Sequence, residues 1–128
     1  MNRLTLSILG MFCLILFSTS CKDEDDENPA DLIVGSWRFV SYVASECSDP
    51  DDNESETCTS ACEVVVITKD MVTFEGEPPE SYSIDGNKIT FGTGSGADTY
   101  EFTVTETTLT VIEQDPGECK EVTTLTRV

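Results

Sequence analysis

Histidine is absent from this chain, and lysine and arginine together number 7 against 25 aspartates and glutamates. Without histidine the commonest general base, the commonest catalytic metal ligand and every Ser-His or Cys-His dyad are gone. Most hydrolase mechanisms go with them, so no catalytic residue is assigned and the chain is read as a non-enzyme. The shortage of cations leaves a formal charge of −18. Such a chain repels nucleic acid and anionic membrane surfaces. Apolar runs are short as well: the longest, Leu4 to Phe17, is broken only by Thr5, Ser7 and Gly10. At 14 residues it falls short of the roughly 20 that cross a ~30 Å hydrocarbon core as a helix.

That run follows Met1-Asn2-Arg3 and precedes Ser18-Thr19-Ser20-Cys21. One positive charge, an apolar stretch and small residues at a cleavage site make a signal peptide over residues 1–20, removed on export. The small residues before Cys21 resemble a lipobox, which implies that Cys21 becomes the lipid-bearing first residue. Lys22-Asp23-Glu24-Asp25-Asp26-Glu27 follows; it resembles the surface-export signal of Bacteroidetes lipoproteins and also reads as a solvated acidic spacer. Residues 21–30 are therefore expected to be a lipidated acidic tether. The implied place is the outer membrane, anchored through lipid and facing the cell surface; the spacer reading alone puts the protein in the periplasm.

Of six cysteines, Cys13 leaves with the signal peptide and Cys21 is taken by lipid. Cys47, Cys58, Cys62 and Cys119 remain in an exported domain spanning residues 31–128. An oxidising compartment and a small core favour two disulfides, with three connectivities open. A four-cysteine zinc site fits less well, because Cys58-x-x-x-Cys62 is not the usual spacing and the other two are isolated. A reactive thiol would need a neighbouring cation cluster that the sequence does not show.

Asn28-Pro29-Ala30-Asp31 reads as a cap with proline at a first helical position, so one helical turn is expected before the first strand. Thereafter runs rich in Val, Ile, Thr, Phe and Tyr recur about every ten residues between Gly, Pro, Asp and Asn. Strands are expected near 36–44, 63–68, 71–75, 81–84, 88–91, 99–105, 108–113 and 120–127. Tyr100, Phe102 and Val104 alternate with Glu101, Thr103 and Thr105, giving one buried and one wet face. Asp85-Gly86-Asn87 and Thr105-Glu106-Thr107 read as tight hairpin turns. Between Val122 and Leu125 the apolar parity changes, which either a bulge or a misread register of that strand would explain. Eight consecutive strands predict an all-β up-and-down barrel that abolishes its own edges, with a two-layer β-sandwich as the alternative.

Two loops resemble ligand motifs only in part. Asp49 to Glu56 offers oxygen ligands at alternate positions, but Glu54 stands where a calcium loop needs glycine and Ser60 where it needs its bidentate glutamate. Gly92-Thr93-Gly94-Ser95-Gly96 joins two strands with no helix behind it, so it is read as a flexible hairpin loop at a barrel end. No metal or cofactor is assigned.

Gly35-Ser36-Trp37-Arg38-Phe39-Val40-Ser41-Tyr42 resembles the first strand of the lipocalin-like lipoproteins of the Bacteroidetes, with the Gly-x-Trp signature of lipocalins. The segments 67–74, 82–91 and 125–128 resemble that family's second hairpin, its strand-turn-strand and its closing strand. The resemblance implies a lipocalin-like barrel in which Trp37 plugs the closed end and Arg127 packs across it. Two features depart from the family pattern: the long acidic loop from Ser45 to Ala61, holding two cysteines, and short strands. Eight strands enclose either a packed interior or room for one small ligand. Two functions follow from the sequence. One is a lipid-anchored binding protein for a small apolar or amphipathic molecule; the other is an acidic surface protein or inhibitor that binds a cationic protein partner.

Overall fold

A computed structural model describes residues 27–128. The signal peptide, the lipidation residue Cys21 and the tether residues before Glu27 lie outside the described residues.

The chain enters through one helical turn, α1 (Pro29–Leu32), capped by Asn28, whose side-chain oxygen accepts from the Ala30 amide at 3.1 Å. Apart from two short 3₁₀ turns, the regular structure after it is antiparallel sheet: β1 (Gly35–Ser45), β2 (Glu54–Thr57), β3 (Val64–Ile67), β4 (Met71–Thr73), β5 (Glu80–Asp85), β6 (Lys88–Phe91), β7 (Asp98–Val104), β8 (Thr108–Gln114) and β9 (Lys120–Arg127). Consecutive strands pair from β3 to β9, and β1 pairs with both β3 and β9. The sheet therefore closes on itself as an eight-stranded up-and-down barrel, with no free edge around the main wall. The sandwich alternative is not adopted.

β2 is the addition. It pairs with the second half of β1, from Ser41 opposite Thr57 to Ala44 opposite Glu54, while β3 takes the first half. All four β2 residues are exposed, and no apolar residue marks it, so the acidic loop concealed a ninth strand.

One bulge organises the wall. β1 pairs with β9 along its length, but the register shifts between Phe39 and Ser41. Before the bulge Trp37 and Phe39 stand opposite Arg127 and Leu125; after it Tyr42 and Ala44 stand opposite Thr123 and Glu121. The parity break expected in the last strand is thus found in its partner. β9 alternates without interruption, and Val122 belongs to the outer face beside Val43 and Ile112. The two hairpin turns form as read: Asp85 pairs with Lys88 around Gly86, whose φ is 60°, and the Thr105 amide bonds Thr108 O at 2.8 Å.

The core gathers at one end. Ile33, Trp37, Val65, Ile67, Val72, Ile89, Phe102, Leu109 and Leu125 form one buried cluster, supplied by the end of α1, the starts of β1, β6 and β8, the short strands β3 and β4, and the later halves of β7 and β9. α1 lies beneath this end and delivers Ile33, which is wholly buried.

Candidate functional site

The closed end is tied by one tryptophan and one arginine. Trp37 has no exposed surface, and its indole N–H donates to Ile33 O at 2.8 Å. The Arg127 guanidinium lies 4.2 Å from the indole centroid, a cation over the negative face of a ring. Its nitrogens donate to three carbonyls: Glu106 O at 2.6 Å, Val34 O at 3.0 Å and Leu32 O at 2.5 Å. One side chain thus joins the last strand, the 105–107 turn and the segment leading out of α1. Gly35 makes room for it, because a Cβ there would collide with the guanidinium and the backbone φ of 149° disfavours other residues. Gly-x-Trp and the arginine are one packed unit.

The other end is hollow. A cavity of about 510 Å³ opens there, within the range of small-molecule sites. Its floor is the upper surface of the core: Ile33, Val65, Ile67, Val72, Ile89, Leu109 and Leu125. Phe39, Phe74, Phe91, Tyr100 and Val111 form the wall above. Phe91 packs against Phe74 with ring centroids 6.2 Å apart and against Tyr100 at 5.7 Å. Nearest the opening stand Thr123 and five carboxylates, Glu63, Glu80, Asp98, Glu113 and Glu121. No lysine or arginine is among the residues that line the cavity.

The pleat explains why these acids converge. On β7 the inward positions run Asp98, Tyr100, Phe102, Val104; on β8, Leu109, Val111, Glu113; on β9, Glu121, Thr123, Leu125, Arg127. Because neighbouring strands run in opposite directions, acids at the start of β7 and β9 and near the end of β8 reach the same rim. Glu113 is directly opposite Glu121, a like-charge pair that disfavours the sheet.

Slight burial at the cavity mouth and then neighbouring negative charge raise the proton affinity of groups on this rim, although Glu113 itself remains solvent-exposed. Burial first, and then the charges of Glu121, Asp115, Asp98 and Glu118, raise the Glu113 carboxyl above its ordinary value. Tyr100 is raised by burial and by Glu113, Asp98, Asp115 and Glu121. Tyr42 is raised by burial, by a hydrogen bond and charge from Glu121, and by the charges of Glu54 and Glu113.

The disulfides brace the same end. Cys47–Cys119 ties the end of β1 to the start of β9 across a sequence separation of 72, and Cys58–Cys62 closes a loop of separation 4 between β2 and β3. Ser48 Oγ donates to Gly117 O at 2.8 Å, joining the acidic loop to the 115–119 loop. The acidic loop is therefore fastened to the rim.

The carboxylates of Asp49 to Glu56 do not converge. Asp49 accepts from the Asp51 amide at 3.0 Å as the cap of a 3₁₀ turn, and Glu54 and Glu56 lie on the exposed β2. Among the described residues no group of three or more acids, cysteines or histidines is placed to hold a metal. The glycine-rich loop forms a second 3₁₀ turn, Gly94–Gly96, at the open rim between β6 and β7. Compared with family models, curated proteins and solved structures, the chain finds no match in any of the three.

The rim acids and Thr123 were not anticipated from the sequence. Their signal was there: the inward parity of β5, β7, β8 and β9 ends in an acid each time.

Proposed function

We propose that the protein is a lipid-anchored, lipocalin-like binding protein of the outer membrane surface whose barrel takes a small amphipathic molecule. The observation that carries this reading is the division of the barrel into a packed half and an open, apolar half of about 510 Å³. A scaffold needing only stability would gain by filling that space, since every unfilled contact forfeits dispersion energy. The rigid closed end and the disulfide at the rim support a preformed site, which lowers the entropic cost of binding. Chemistry is not part of the proposal: Glu113 is exposed and Glu121 half-exposed, so the carboxylate pair lacks the dry cleft that would set two acids to different roles.

Titration with Nile red, a neutral apolar dye, tests the cavity. Emission should rise and shift to shorter wavelength on binding, and Thr123→Trp, which places an indole in the open half, should abolish the response while the fold persists. A response unchanged in Thr123→Trp would place the dye elsewhere and count against the reading.

A cationic protein partner is the second reading. It is favoured by Glu54 and Glu56 on β2, a short strand exposed along its length. Association of that kind weakens steeply with salt; insensitivity to salt would exclude it.

A further inference from the structure

We propose that the cavity selects amphipathic organic cations, holding an apolar body on its floor and an ammonium-type head among the rim carboxylates. The inference rests on the binding reading above and names the ligand class of that site.

Three features point the same way. Every charged residue lining the cavity is an acid, contributed from five separate places around the wall. A carboxylate or sulfate headgroup would meet uncompensated like charge in a concave site with low-dielectric walls, where fields are focused. A positive head meets the opposite. The second feature is the Glu113 and Glu121 pairing across β8 and β9. Two like charges set directly opposite cost the sheet stability, and a bound cation between them removes that cost. The third is independent of the acids: Phe91 and Tyr100, 5.7 Å apart, stand on the wall just inside the rim. Ring faces attract ammonium groups and accept apolar bodies alike, so wall and rim prefer one kind of molecule.

Three compounds of nearly one shape separate charge from apolarity: phenethylammonium, phenethyl alcohol and 3-phenylpropanoate. Each is titrated into the full-length protein while the ring resonances of Phe91 and Tyr100 are followed by NMR. The ammonium should bind about tenfold more tightly than the alcohol, a difference of about 1.4 kcal/mol, and the carboxylate should leave the resonances unmoved. The double variant Glu113→Gln with Glu121→Gln keeps the side-chain shapes and removes the repulsion, so it folds at least as well. In it the ammonium should fall to the affinity of the alcohol, with the alcohol unchanged. Equal binding of all three, or preference for the carboxylate, overturns the charge selection while leaving the binding reading intact. A preference for the ammonium that survives the double variant overturns the assignment to these two acids. Failure of all three compounds to bind overturns the binding reading itself.

Discussion

Arg127 covers the indole of Trp37 at 4.2 Å and, from the same position, donates to three backbone carbonyls. The first and last strands of the barrel are closed by this contact, at the end where the fully buried core is gathered. It leaves the opposite end free to be hollow.

If the fork of donors matters and not the charge alone, Arg127→Lys should be costly although it keeps the positive charge. An ammonium cannot reach three carbonyls in different directions. Two of the three bonds are open to water and only the one to Leu32 O is partly buried, so losing the fork costs about 1 kcal/mol, which lowers the melting temperature by roughly 5 °C in a domain of this size. Thermal unfolding of the variant checks this; a shift of only a degree or two would show that charge suffices. Gly35→Ala should be destabilised in the same scan, because its Cβ meets the guanidinium.

The two disulfides should differ in worth. Closing a loop of 72 residues restrains the unfolded chain by roughly 4 kcal/mol, against about 2 kcal/mol for a separation of 4. Replacing Cys47 and Cys119 together with serine should therefore lower the denaturant midpoint about twice as far as replacing Cys58 and Cys62. Equal losses, measured by urea unfolding at constant slope, would show that the short loop braces native structure directly.

Stability should rise on mild acidification. The Glu113 carboxyl is raised by burial and by Glu121, Asp115, Asp98 and Glu118, so the folded protein holds its proton more tightly than the unfolded chain. The folded state then binds more protons between the ordinary carboxylate value and the raised one, and stability falls as pH climbs through that window. The melting temperature should be higher near about pH 5 than near about pH 7. Glu113→Gln should raise the value at neutral pH and flatten the dependence. Parallel pH profiles for the variant and the parent would contradict this.

Much of the barrel was legible because its strands obey a period of two. Tyr100, Phe102 and Val104, or Ile89 and Phe91, declare an inner face without any knowledge of their neighbours. Trp37 and Arg127 were legible through a family resemblance, and the structure supplies their physical reason in the Gly35 clearance and the three carbonyls. β2 was not legible: Glu54-Ser55-Glu56-Thr57 has no apolar position, and its pairing depends on a loop held by cysteines at both ends. The parity change leaves a bulge and a misread register both open, because β9 seen alone shows only that Val122 and Leu125 differ in parity. Its partner resolves this, since Val122 pairs outward with Val43. The cavity could not be read from the chain at all. Whether eight strands leave space depends on how far the nine-residue core fills the bore, and that is a property of the closed sheet. The acid ring lies between these cases: each acid continues an inward parity, but only the alternating strand directions show that they end at one rim.

Native mass spectrometry of the protein, purified under gentle conditions from its own organism, tests the binding reading most directly. A barrel that carries a small amphipathic molecule in its open half should show a discrete extra mass on the disulfide-bonded chain, lost on denaturation and absent from Thr123→Trp. A chain that is repeatedly recovered with both disulfides intact and no adduct would contradict it, and would shift the assignment to the acidic rim and a cationic protein partner.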